Sequence, residues 1–171
     1  MRYAASVEYE GTNFFGWQRQ SAVISVQEEI ENAISQITQT DIKIHGAGRT
    51  DAGVHALGQV FHFDTDVTRP IKSLTKGVNS FLPNSIRVKW VKIVSDDFHA
   101  RFSATARQYQ YLLNNAPINS SIWSNHCGWT FYELDFTLLK NASKKFEGRH
   151  DFTAFRSSEC QAKSPIRTIK N

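Results

Sequence analysis

The most chemically suggestive stretch of this 171-residue sequence sets one acidic side chain among glycines. Residues 46–53 read Gly-Ala-Gly-Arg-Thr-Asp-Ala-Gly, followed by Val54, His55 and Ala56. Glycines let a backbone turn tightly and approach a ligand closely. Arg49, just upstream of Asp51, supplies positive charge that favours an ionised carboxylate. An ionised, oriented Asp51 can serve as a nucleophile or a base. The same residues also fit a Gly-rich hairpin in which Asp51 only forms the turn. A dinucleotide-binding loop is disfavoured, because Asp51 stands where the third glycine belongs and a strand, not a helix, is expected next. No Gly-Lys-Ser/Thr run completes a phosphate loop.

A second group of candidates follows from period-2 spacing. The sequence predicts a long strand from about Phe102 to Leu113, with Arg101, Ser103, Thr105, Arg107, Tyr109 and Tyr111 on one face. Phe102, Ala104, Ala106 and Leu112 would occupy the other. On the first face a tyrosine ring can stack on a planar group, and its phenol can donate or relay a proton. The alternative for Tyr109 is a half-buried strand aromatic. His45, His55 and His62 follow no zinc spacing, so no metal site is expected. Cys127 and Cys160 stand too far apart for a disulfide framework or a paired-cysteine metal site and are expected as reduced structural thiols. Phe61 and Phe63 are expected in the core beneath helices, since no RNA-recognition motif surrounds them.

These residues need elements to position them. Tyr3, Ala5, Val7 and Tyr9 alternate with Ala4, Ser6 and Glu8, as in a strand ended by Gly11. Ser25 and Glu28 form a capping-box pattern before Val26, Ile30, Ala33, Ile34 and Ile37, which predicts a helix over 26–37. A short strand over 42–45, the Gly-rich turn and a strand over 59–63 come next. Pro70 opens a second helix with Ile71, Leu74, Val78 and Phe81 on one face, and Pro83 closes it. Ile86, Val88 and Trp90 then alternate in a fourth strand. The order βαββαβ over residues 1–94 is that of an α+β, ferredoxin-like split βαβ sandwich, with helices on one face of an antiparallel sheet. The predicted strand over 102–113 and a helix over 136–146, N-capped by Asp135, begin a second unit. About 25 residues remain after Phe146, too few to complete it, so the second ferredoxin-like unit reads as incomplete. The expected domains are 1–100, carrying the Asp51 loop, and 101–171.

With 40% hydrophobic and 21% charged residues the chain can bury a core, which excludes intrinsic disorder and collagen-like architectures. No apolar run approaches the ~18 residues of a spanning helix, and Glu8 and Glu10 interrupt any secretory signal, so a cytoplasmic protein with no membrane partner is expected. Residues 1–85 carry 7 basic and 9 acidic side chains, whereas 86–171 carry 13 and 7. That asymmetry suits a polyanion partner, although a solvated basic face would also produce it.

Nine stretches stand out beside one another: Gly48-Arg49-Thr50-Asp51-Ala52-Gly53-Val54-His55, Tyr9-Glu10-Gly11, Phe15-Gly16-Trp17-Gln18-Arg19-Gln20, Ser25-Val26-Gln27, Gly58-Gln59-Val60, Asn79-Ser80-Phe81-Leu82-Pro83, Phe98-His99-Ala100-Arg101-Phe102-Ser103-Ala104-Thr105, Tyr109-Gln110-Tyr111 and His150-Asp151-Phe152-Thr153. Together they resemble bacterial tRNA pseudouridine synthase A. The resemblance covers essentially the whole chain, and the family continues for roughly another 80 to 90 residues. It implies isomerisation of uridine to pseudouridine at positions 38–40 of the tRNA anticodon arm, without metal or organic cofactor. By the same resemblance Asp51 is the nucleophile, Arg49 braces the gap left by a flipped base, Tyr109 is the active-site tyrosine and His55 is positional. Tyr111 is expected to pack, and Arg19, Arg101, Arg107 and Tyr109 are expected to contact the RNA. A full-length homodimer is implied. The alternatives are a non-catalytic tRNA-binding fragment of such an enzyme and, disfavoured by the loop sequence, a nucleotide-binding enzyme.

Overall fold

The computed structural model describes residues 1–156 and 164–170; Cys160 lies outside them. The chain divides into two compact units, Met1–Gln110 and Tyr111–Asn171.

In the first unit the elements run β1 (Arg2–Tyr9), α1 (Val26–Thr38), β2 (Ile44–Gly46), β3 (Ala56–Asp64), α2 (Ile71–Phe81) and β4 (Ile86–Val94). The four strands form one antiparallel sheet in the order β2-β3-β1-β4. This is the α+β, ferredoxin-like arrangement that the βαββαβ order predicts. Period 2 decides which face of β1 is apolar. Tyr3, Ala5, Val7 and Tyr9 join Phe61 and Phe63 of β3 in one core with Val26, Ile30, Ala33 and Ile34 of α1 and Leu74 and Val78 of α2. Each large apolar side chain buried there contributes about 1.5–3 kcal/mol. Tyr3 and Phe63, opposite one another in the ladder, stack at 5.3 Å.

The helix boundaries follow their caps. Glu28 N–H donates to Ser25 Oγ at 3.3 Å, as the capping pattern predicts. Pro70 precedes α2, and Leu82, ahead of Pro83, is extended because the proline ring disfavours helical geometry in the residue before it. Phe81, expected on the buried face of α2, is 54% exposed.

The fourth strand departs from its expected alternation. Val7 pairs with Val88 but Ser6 pairs with Trp90, so an extra residue enters β4 at Lys89 and every later side chain changes face. Val91 is therefore buried, whereas Trp90 lies on the outer face under the Lys92 ammonium, 5.3 Å from its ring centroid. Beside the bulge, the Asn79 amide of α2 accepts from Val88 N–H at 2.8 Å and donates to its carbonyl at 2.9 Å. A side chain thus satisfies backbone groups that would otherwise stand open at a sheet edge.

The second unit contains β5 (Leu113–Asn115), β6 (Gly128–Thr130), α3 (Phe136–Ser143), β7 (Gly148–Asp151) and β8 (Ile166–Ile169). β5 pairs parallel with β6, and β7 pairs antiparallel with β8. Leu138 N–H donates to Asp135 Oδ1 at 2.9 Å, which bears out that N-cap, and a 3-10 turn over Lys144–Phe146 completes the predicted helix. The long strand expected over 102–113 does not form; only Leu113 belongs to a strand. An extended segment needs a neighbouring ladder for its N–H and C=O groups, and none of the described residues supplies one for 102–112. No described side chain of this unit is buried, and Ile118, Ile122, Phe136, Leu138 and Phe155 are all exposed.

Candidate active site

The Gly-rich loop between β2 and β3 lies flat against a second loop, residues 11–17, which follows β1. Their contact is built from backbone and glycine. Trp17 N–H donates to Thr50 O at 3.0 Å, and Gly53 N–H donates to Phe14 O at 3.3 Å. Gly16, at φ +88°, passes so close that a Cβ would lie 2.5 Å from Thr50 O; at Gly11 a Cβ would lie 2.0 Å from Val54 O. Only glycine admits that approach. The second loop is itself anchored, because Trp17 and Phe14 are buried and the Trp17 ring lies 6.0 Å from Tyr9 and 6.4 Å from Phe61.

Side chains complete the support. The Tyr9 phenol is hydrogen-bonded to Thr50 Oγ1 at 2.8 Å, and burial raises its pKa above the ordinary phenol value, so it stays neutral. His55 Nδ1 accepts from Gly11 N–H at 3.0 Å. Gln59 Nε2 donates to Gly48 O, and Ala47 N–H donates to Val60 O at 2.8 Å. Arg107 donates to Ala47 O through Nε at 3.2 Å and also through Nη2. The result is a well-anchored loop from which Asp51 and Arg49 project into solvent.

The expected site residues do not all converge. Among the described residues no ion pair joins Arg49 to Asp51. Arg107 does reach the loop, as a backbone anchor. Arg101 is exposed, with its guanidinium 5.8 Å from the Phe102 ring centroid. Tyr109 is 79% exposed, and no strand places it on a shared face with Arg101 and Arg107. Arg19 turns toward α1, donating to Glu31 at 2.9 Å and pairing with Glu28 at 3.4 Å. The anchors Tyr9, Gly16, Trp17 and Gln59 had no role assigned from sequence, although the glycine among aromatics at 14–17 was a signal of close backbone approach.

His45, His55 and His62 do not assemble as one group. Instead His45, His62 and His99 bring their rings within 4.6–5.7 Å on the outer side of the sheet. His62 Nδ1 accepts from Ala100 N–H and His99 Nδ1 from Arg101 N–H, each at 3.2 Å. Each Nδ1 lone pair is thus taken by a backbone N–H. Arg2 reinforces the same segment by donating to Phe98 O at 3.0 Å while pairing with Asp64 at 2.8 Å.

Comparison with known proteins decides what this loop belongs to. Residues 5–103 and 142–171 match the family described as tRNA pseudouridine synthase. The chain belongs to the tRNA pseudouridine synthase family. It is 50% identical to tRNA pseudouridine synthase A of Pseudoalteromonas atlantica over 171 residues, all of this chain and 65% of that protein. It is 50% identical to the protein of the same name from Colwellia psychrerythraea, covering 66% of it, and 48% identical over 169 residues to that of Shewanella frigidimarina, covering 65%. The chain thus spans about 65% of the length of these curated relatives. Within the family match lie Arg19, Arg49, Asp51 and Arg101; Arg107 and Tyr109 lie between its two segments. The loop presents an accessible carboxylate on a held backbone, an arrangement that suits nucleophilic chemistry. Among the described residues no helix is long and apolar enough to cross a membrane.

Proposed function

We propose that this chain carries the catalytic loop of an enzyme that isomerises uridine to pseudouridine at positions 38–40 of the tRNA anticodon arm. The observation that carries the reading is Asp51, an exposed carboxylate on a loop held by Tyr9, Gly16, Trp17, Gln59 and Arg107. In the proposed reaction the target uridine is flipped from its stem, because a stacked base is out of reach. Arg49 braces the vacated space. Asp51 forms a covalent adduct with the base or the ribose, dividing one hard step into easier ones. The bond from C1′ to N1 breaks, the uracil turns, and a bond from C1′ to C5 forms. The C5 proton leaves, N1 takes up a proton and the Asp51 carboxylate is released from the adduct, so the net change is isomerisation. Tyr109 stacks on the base, and its phenol moves a proton. Arg101 contacts the RNA backbone, while Arg107 and Arg19 act mainly through the protein. No metal or organic cofactor enters this scheme. The enzyme works in the cytoplasm, as a homodimer when extended to the length of its relatives.

A second reading, a tRNA-binding chain without turnover, is favoured by one observation: the unit Tyr111–Asn171 buries none of its described side chains. Tritium release from C5-labelled uridine in tRNA separates the two. It is measured on this chain and on a chimaera that adds the remaining third of the Pseudoalteromonas atlantica relative. Release by the chimaera that Asp51→Asn abolishes supports the enzyme; tRNA binding by both with release by neither supports the second reading.

A further inference from the structure

We propose that Tyr9 is a positioning residue for Asp51 and acts through Thr50. The inference rests on the reading of Asp51 as the reacting group and assigns what aims it. Tyr9 ends β1, and its ring is buried against Trp17, so the phenol arrives at the loop with little freedom. Its hydroxyl meets Thr50 Oγ1 at 2.8 Å, while on the backbone side Thr50 O accepts from Trp17 N–H at 3.0 Å. One residue is therefore held at two points, by side chain and by carbonyl. The peptide that leaves it is the one that enters Asp51. Gly16 lies against this peptide, where an added Cβ would come within 2.5 Å of Thr50 O.

Asp51 is exposed and has no ion pair among the described residues, so its direction is inherited from this backbone. Misplacing a reacting group by 1 Å costs on the order of a hundredfold in rate. Tyr9 thus has a role that packing alone would not require: phenylalanine would fill the same space but leave Thr50 held by its carbonyl only. Thr50 in turn needs its hydroxyl, which serine keeps and valine lacks.

The test uses Tyr9→Phe, Thr50→Val, Thr50→Ser and the double variant Tyr9→Phe/Thr50→Val. In the 171-residue chain, amide exchange at Trp17, whose N–H donates to Thr50 O, and at Gly53, whose N–H donates to Phe14 O, should speed up in Tyr9→Phe and Thr50→Val, with the thermal midpoint little changed, and stay slow in Thr50→Ser. In the chimaera, kcat should fall about tenfold for Tyr9→Phe, the worth of one hydrogen bond, with KM within about twofold. The double variant should be no slower than either single one, and Thr50→Ser should keep most of the rate. Unchanged exchange at Trp17 and Gly53 in Tyr9→Phe overturns the proposal whatever the activity, and so does a double variant whose losses multiply. Asp51→Asn in the same assay isolates the underlying reading: if it keeps turnover, Asp51 is not the nucleophile even where exchange confirms that Tyr9 holds the loop.

Discussion

The Arg19 guanidinium donates to the Glu31 carboxylate at 2.9 Å, and that carboxylate is only 2% exposed. Glu31 also accepts from Gln27 Nε2 at 2.9 Å and from Ile44 N–H at 3.1 Å, so it ties the 17–20 segment, α1 and β2 together. Its neighbours on the helix are Ile30 and Ile34, both buried.

This arrangement makes Arg19 a structural residue before it is an RNA contact. Glu31→Ala removes the acceptor for the buried Ile44 N–H and should cost about 1–3 kcal/mol for that orphaned group. Arg19→Ala should lower the denaturation midpoint as well, since it strips a buried carboxylate of its counter-ion. Urea unfolding of both variants checks this. An Arg19→Ala protein that keeps full stability and loses only tRNA affinity would return the residue to the RNA surface.

Two glycines with left-handed backbones should respond differently to alanine. Gly16, at φ +88°, has Thr50 O where a Cβ would go, whereas Gly53, at φ +77°, has open space. Gly53→Ala should cost the conformational penalty alone, about 1–2 kcal/mol. Gly16→Ala adds a backbone clash, so it should destabilise more and also displace Thr50 and Asp51. Denaturation midpoints and turnover of the two variants, measured together, decide whether the glycine platform positions the loop.

Acid should weaken the fold through His62. Burial, then the neighbouring His99 and His45, then Arg2, lower its pKa from 6.5 to about 4, against a smaller opposing effect of Asp64. The folded protein therefore binds this proton less readily than the unfolded chain. The contribution of His62 is complete above pH 6.5 and is lost as pH falls toward 4. Protonation would also remove the Nδ1 acceptor used by Ala100 N–H. Unfolding free energy followed from pH 7.5 to 4.5 should fall more steeply in the wild type than in His62→Gln. Parallel profiles would show that His62 does not titrate in this range.

The sheet was legible because its signals are local. Alternation in β1, the Ser25 cap and the stripe of α1 each fix an element within a dozen residues, and together they determine the order of the unit. What was not legible depends on distant partners. Trp90 and Val91 exchange faces because of a bulge at Lys89, which no pattern within β4 announces. The strand expected over 102–113 had the right alternation but no neighbour to pair with. At the loop, glycines and Asp51 were visible in the sequence, yet the side chain aimed at Thr50 comes from residue 9, 41 positions away. His99, whose ring lies 4.6 Å from that of His62, is likewise remote in sequence.

Binding of tRNA should depend steeply on salt, because residues 86–171 hold most of the excess positive charge. If about four phosphates are neutralised, log K should fall with log salt at a slope of roughly −3 to −4. Arg101→Ala should reduce that slope by about 1. A flat dependence would argue for a small-molecule substrate.

The most direct measurement is tritium release from C5-labelled tRNA by the chimaera carrying these 171 residues, compared with its Asp51→Asn variant. The substitution removes the nucleophilic charge with little change in volume. Release should fall to background while tRNA affinity stays within about twofold, as expected where the lost interaction is made only during reaction. Turnover within tenfold of the wild type would contradict the assignment of Asp51 as the nucleophile.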